Sequence, residues 1–506
     1  KLFDEMDFQR AVQAYLWAIP LVSFVHWQRV QAEEYGAENG QLIYMVTYDE
    51  KRGGLTLNVT TPYVETFVDL QPSGPMVIEI PPGGQVRGAT HDMWQIQIAQ
   101  MTRPGRYLFV GPYQEVPAEA EGDGFVINHS PMNNFVVGIR LMPEDPDERE
   151  ALLKQIKLYP YSERDNPQSK PFIRPTTPGY AYQPRDMRYW ERLHDSINRE
   201  PVREVDRYFH AMLEQLGIEK GQPFEPDDRQ RKILTEALTV GEAMAKTNDF
   251  AKRLPKAHYV DGSQWHFSTT ANWDQRTEFV QELDGAAAWF YEAVSNDESM
   301  HGQETGWGQV YMAAYKDGGG DWLDGGTDYV LNVPKDPPAE AFWSMTLYDV
   351  TSRAIIDNEQ KKADVSSRHD LQYNDDGSVD VYIGPNAPDG KESNWIPTVD
   401  GKAWFPYFRL YSPTQPFQPD DRQRKILTEA LTVGEAMAKA NDFAKRLPKA
   451  HYVDESRWHF STTANWDQRT EFTQELDGAA AWFYEAVTND ESMHGQETGW
   501  GQVYMA

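Results

Sequence analysis

The sequence predicts an α+β protein in which two antiparallel β-sandwich or jelly-roll-like domains are joined by a helical region. Three observations predict it. Short alternating apolar runs, punctuated by Gly and Pro, fill two separate stretches, 55–141 and 329–411. Between them the apolar spacing switches to the helical period. A helical block, Pro226–Ala313, recurs as Pro419–Ala506 with five differences over 88 positions: Thr247/Ala440, Gly262/Glu455, Gln264/Arg457, Val280/Thr473 and Ser295/Thr488.

Residues 1–35 read as N-terminal helices, with Val12, Leu16, Ile19, Val22 and Val25 at helical spacing and Pro20 kinking or ending the first. The run Ala11–Val25 is too short to span a bilayer, so a buried helix is expected. Residues 36–143 form the first β domain, with strands at Tyr63–Leu70, Met76–Ile80, Met93–Ile98, Tyr107–Val110 and Phe135–Leu141. Residues 144–316 are a helical linker region. Asp145-Pro146 caps a short helix, 159–186 is a long surface connection, and helices follow at about 187–198 and 201–216. Within the repeated block, Asp227 and Asp228 open a helix whose Ile233, Leu234, Ala237, Leu238 and Gly241 share one stripe, and a second helix covers about 277–294. Residues 317–417 form the second β domain, with strands at Tyr329–Val333, Phe342–Tyr348, Asp380–Ile383 and Phe405–Tyr411 and a turn at Asn374-Asp-Asp-Gly-Ser.

Residues 418–506 hold the second helical copy. A single block recurring at a spacing of 193 is no solenoid. Gln-Pro-Phe precedes both copies, at 222–224 and 415–417, the mark of unequal recombination or a misjoined sequence. The working unit is therefore expected within about 1–411.

A formal net charge of −30, spread along the chain, repels phosphate backbones and argues against nucleic acid as a partner. There is no cysteine, so disulfides, thiolate catalysis and thiolate-bound metal are excluded. The start at Lys1-Leu2-Phe3, without Met, suggests a trimmed mature protein. No nucleophile elbow, phosphate loop, dinucleotide fingerprint or His-Glu-x-x-His is present, and no cofactor is expected.

Family resemblance resides in ordered motifs. Ala341-Phe-Trp-Ser-Met-Thr-Leu-Tyr-Asp349, Asn358, Asp376-Gly-Ser378, Glu392-Ser-Asn-Trp395 and Arg409-Leu-Tyr411 resemble a bacterial domain of unknown function numbered 1214. Upstream, Asn58 to Tyr63, Gly74-Pro-Met-Val-Ile-Glu79, Asp92-Met-Trp94, Gly105-Arg-Tyr-Leu108 and Gly138-Ile-Arg140 resemble the domain numbered 1254 that precedes it. The resemblance covers roughly 1–411 and departs after Phe417. It implies two β domains joined by helices, export to the periplasm or beyond, and a homo-oligomer, without supplying a reaction.

Candidate ligand-binding residues follow from polar groups in apolar strands. An arginine there needs a carboxylate or a ligand, which singles out Arg140, Arg368 with His369, and Arg409, a buried ion pair being the simpler expectation. Asn58 and Tyr63, beside Thr60 and Thr61, are placed to line a polar pocket. His91 and Asp92 form a candidate proton-transfer pair, weakened because adjacent strand residues face opposite ways. Asn394 and Trp395 follow a Gly/Pro-rich loop. Asp317, Asp321 and Asp324 form a weak calcium candidate that lacks EF-hand spacing. The expectation is an exported protein binding a small polar or carbohydrate-like ligand, with hydrolase or lyase chemistry compatible. The alternatives are a structural scaffold, or a cytosolic or periplasmic enzyme using His91, His369 and nearby carboxylates as acid and base. Convergence of Arg140, Arg409, Asn394 and Tyr63 on one pocket would favour ligand binding.

Overall fold

In a computed structural model the described residues are 1–83, 85–251, 264–267, 282–300 and 305–414, so the second helical copy lies outside them. All of them fall within one compact unit. Helices and several sheets, mostly antiparallel, make an α+β fold.

The first β domain has nine strands: β1 (Ile43–Met45), β2 (Tyr63–Asp69), β3 (Met76–Ile80), β4 (Val86–Asp92), β5 (Gln97–Met101), β6 (Gly105–Val110), β7 (Val126–His129), β8 (Asn134–Leu141) and β9 (Lys157–Pro160). They form two sheets, ordered β1-β2-β8-β4-β5 and β7-β6-β3-β9. Strand alternation decides what each face buries. From β8, Phe135, Val137, Ile139 and Leu141 enter a core shared with Val64 and Val68 of β2, Ile78 of β3 and Phe109 of β6. Gly138 and Arg140 are thereby turned to the opposite face. Glu65 pairs with Gly138, which pairs on its other side with Ala89.

Helix α1 (Leu2–Glu33) continues through Pro20, so the helix does not end there. It is buried nearly all round among later helices, and that packing outweighs the one backbone bond a proline removes. The remaining helices are α2 (Tyr48–Lys51), α3 (Leu70–Ser73), α4 (Pro146–Leu153), α5 (Arg188–Arg199), α6 (Arg207–Glu214), α7 (Asp228–Phe250) and α8 (Leu283–Glu292). Asp227 caps α7 through a reciprocal bond pair with Gln230. The apolar stripe of α7 is buried, and a Cβ on Gly241 would lie 2.5 Å from the Tyr15 ring, so α1 and α7 approach closely because that position has no side chain. No helix among the described residues is long and apolar enough to cross a membrane.

The second β domain contains β10 (Trp265–Phe267), β11 (Gln309–Ala314), β12 (Tyr329–Val333), β13 (Ala339–Asp349), β14 (Asp364–Ser366), β15 (Val379–Gly384), β16 (Trp395–Pro397) and β17 (Trp404–Pro413), in sheets ordered β10-β11-β17-β13-β14 and β12-β15-β16. Two ladders, β6–β7 and β15–β16, are parallel, so the sheets are not wholly antiparallel. Of the expected strand Met93–Ile98 only Gln97 and Ile98 are strand, at the start of β5, and residues 93–95 are the β4–β5 turn. Gln95 takes φ 64°, and Asp92 accepts bonds from the Trp94 and Ile96 amides. The stretch 159–186 is only partly surface, since Ala181 and Gln183 are buried and Phe172 packs edge-on against Tyr44.

Loop 52–61 of the first domain is bound into the second. Thr56 N donates to Arg353 O, Tyr348 Oη donates to Leu57 O, and Thr60 Oγ1 donates to Asp364.

Candidate functional site

Residues of β2, β4 and β8 that point away from the first domain's core, and residues of β11 and β17, face one another across a cavity of about 270 Å³ between the two β domains. Gly138 and Ala89 line the first sheet's side of it. A Cβ on Gly138 would meet nothing within 4 Å. Around this hollow stand Glu65, Tyr63, Arg140 and His91. Tyr311, Tyr407, Arg409 and Tyr411 form the opposite wall, and the segment after α8, from Ala293 to Met300, closes one side.

Arg409 is buried, and its guanidinium donates to Tyr348 Oη at 2.7 Å and Thr56 O at 2.6 Å. It also lies 4.9 Å from the Tyr407 ring and 5.2 Å from that of Tyr311. Arg140 is half-buried, stacked 4.0 Å above the Tyr63 ring, and donates to Thr61 Oγ1. Among the described residues neither arginine has a carboxylate at ion-pair distance, contrary to the expected buried ion pairs. Tyrosine faces and neutral oxygens hold the two cations in place.

Glu65 is the nearby acid. Burial, only partly offset by Arg140, pushes its carboxyl up to about 8, and its Oε2 has no hydrogen-bond partner among the described residues. It is therefore protonated at neutral pH and free to donate. His91 turns to Asp297, not to its chain neighbour: Nε2 stands 2.9 Å from Asp297 Oδ2, and both residues are buried. Burial would raise the Asp297 carboxyl, but hydrogen bonds from His91 and Ser299 outweigh it and hold it below the ordinary range. With Asp297 ionised, His91 Nε2 is the donor. Asp92 serves the turn described above.

Four of the ten sequence candidates, Tyr63, His91, Arg140 and Arg409, line this cavity. Asn58 stands just behind the wall. Its amide donates to Ser344 Oγ and Tyr411 Oη, its carbonyl oxygen accepts from Thr60 N, and its backbone N–H donates to Tyr63 Oη. Arg368 stacks 4.0 Å from the Phe342 ring, which lines the cavity, and pairs with Glu144. The structure does not bring the others in. His369 stands 3.9 Å from Asp364, Asn394 bonds the backbone of Gln372 and Asp380, and Trp395 donates to Gly384 O. Asp317 and Asp324 bond amides of their own loop, and no group of three or more His, Asp or Glu able to hold a metal occurs among the described residues.

Glu65, Gly138 and Asp297 were missed by sequence reasoning. Glu65 was open to the argument that found Arg140, a charge in an apolar strand. Asp297 meets His91 across 206 positions, which leaves no local pattern.

A layered α+β fold with a polar, arginine-bearing cavity between two β domains defines a class of two-domain protein. Residues 40–160 match the model for a protein of unknown function, DUF1254, and residues 308–415 match that for DUF1214, also of unknown function. The chain thus carries a DUF1254 domain followed by a DUF1214 domain. It resembles the crystal structure of the VPA0106 protein from Vibrio parahaemolyticus, with TM-score 0.51 and 17% identity over 82% of this chain and 98% of that one, a likeness of fold. A putative uncharacterised protein from Burkholderia cenocepacia aligns with TM-score 0.38 and 11% identity over 81% of this chain and 92% of that one. No curated protein matches the sequence.

Proposed function

We propose that this protein binds a small polar or carbohydrate-like ligand in the cavity between its β domains. One observation carries the reading: Arg140 and Arg409 line a single cavity with no carboxylate at ion-pair distance among the described residues. A desolvated cation that the protein leaves without a counter-charge is costly unless something else supplies polar partners. Aromatic walls beside convergent polar groups are the ordinary make-up of a ligand site. The His91–Asp297 pair adds a group suited to proton transfer, so a hydrolase or lyase step is compatible with the site. A sandwich-like first β domain suits the same reading, because a core shared by its two sheets gives the cavity wall a rigid backing.

The test is thermal shift of the full chain against a panel of small polar metabolites, repeated with Gly138→Leu. That substitution extends a side chain into open space, where a Cβ meets nothing within 4 Å. A ligand at a hundred times its Kd stabilises by about 2.7 kcal/mol, a shift of several degrees. The variant is expected to melt like the parent and to lose the shift. An equal shift in both proteins would place the ligand elsewhere.

A further inference from the structure

We infer that the ligand of this cavity is a small organic acid whose carboxylate is taken by Arg140 and Arg409, with Glu65 as a hydrogen-bond donor and the aromatic rings receiving its body. The inference rests on the small-ligand reading and specifies its chemistry.

The charge balance of the lining points to an anion. Among the described residues its guanidinium groups are Arg87, Arg140 and Arg409, and its carboxyl groups are Glu65 and Asp297. The charge of Asp297 is engaged by His91 and Ser299. Glu65 is kept protonated by burial, so it supplies an O–H and no negative charge. Arg140 and Arg409, neither with a carboxylate at ion-pair distance among the described residues, therefore share the cavity with one acid donor, while the charge of Asp297 is spent on His91 and Ser299.

The shape of the donors favours a carboxylate. A guanidinium presents two parallel N–H groups that match the two oxygens of a carboxylate, and among the described residues no lysine lines the cavity. Glu65 belongs to the same side as Arg140, since Glu65 pairs with Gly138 two residues before it along β8. Aromatic rings supply flat surfaces within the rest of the lining: Phe342 stacks on Tyr411 with centroids 4.1 Å apart, and Trp289 meets Tyr311 edge-on. A cavity of 150 Å³ takes benzene, so one of about 270 Å³ admits an acid of about ten to fifteen heavy atoms.

The probes are benzoate, phenylacetate and succinate, each against its amide, together with inorganic phosphate. Isothermal titration is performed on the full chain at pH 7. At least one acid is expected to bind about tenfold or more tightly than its amide, because the amide keeps the shape and removes the charge. Arg140→Gln is expected to abolish that preference, and Arg140→Lys to restore part of it. Should either fail to fold, Gly138→Leu keeps both arginines and is expected to exclude the acid sterically. Amides binding as well as acids, or phosphate binding where no acid does, would overturn the carboxylate assignment and leave the small-ligand reading standing. Silence from every probe and from the metabolite panel would overturn both. Unchanged acid binding in the Gly138→Leu variant would remove the ligand from this cavity.

Discussion

Glu65 shows at a single residue how site chemistry is drawn from fold stability. Its carboxyl keeps its proton up to about pH 8 when folded, against an ordinary value of 4.5 in the unfolded chain. Between those values the folded state binds more protons, so stability falls as pH rises through that window. Glu65→Gln keeps the shape and does not titrate. Its melting temperature should match the parent's near pH 4 and exceed it progressively above pH 5, by roughly 4 kcal/mol in free energy at pH 8. A pH-independent difference between the two proteins would mean that Glu65 ionises normally and donates nothing at neutral pH. The residue thus weakens the fold at the pH where it serves the cavity, as functional sites commonly do.

Among the elements, α7 illustrates a sequence signal that propensity alone misreads. Gly241 lies mid-helix, where alanine would ordinarily gain about 1 kcal/mol. Here the added carbon would lie 2.5 Å from the Tyr15 ring, so Gly241→Ala should destabilise by about 1–3 kcal/mol in urea unfolding. A gain in stability would show that α1 and α7 can separate at no cost. Most of the fold was legible at this scale. Met76–Ile80 and Tyr329–Val333 lie where alternation places them, and the Asp227 cap opens α7. The failures have local causes. Met93–Ile98 alternates like a strand, but Asp92 captures the Trp94 and Ile96 amides and bends its first half into a turn, leaving Gln97 and Ile98 to β5. Pro20 fails to stop α1 because burial on every side holds the helix together. The cavity was half legible, since charged or polar residues in apolar strands betray themselves. Asp297 is supplied from a loop distant in sequence, and no periodicity reports a contact of that kind.

In the molecule as a whole, the cavity exists only while the two β domains are held against each other, and Asn58 is central to that contact. Its side chain is fully buried, bonding Ser344 and Tyr411 of the second domain and Thr60 of its own loop. Tyr48 and Tyr348 add bonds to Ile356 O and Leu57 O across the same boundary. Asn58→Ala would orphan several buried polar groups together, and losses of that kind cost about 1–3 kcal/mol each. The loss belongs to the contact between domains and not to either core, so its effect should be on cooperativity as well as on melting temperature. In scanning calorimetry the parent is expected to melt its two β domains in one transition, with Asn58→Ala lowering and broadening it. The same variant should weaken any ligand that uses Arg409, because Thr56, which accepts from that guanidinium, lies two residues from Asn58 in the same loop. Two separate transitions in the parent would mean that the domains hold the cavity only loosely. In that case ligand binding itself would have to supply the closure, and a saturating ligand would merge the two transitions into one.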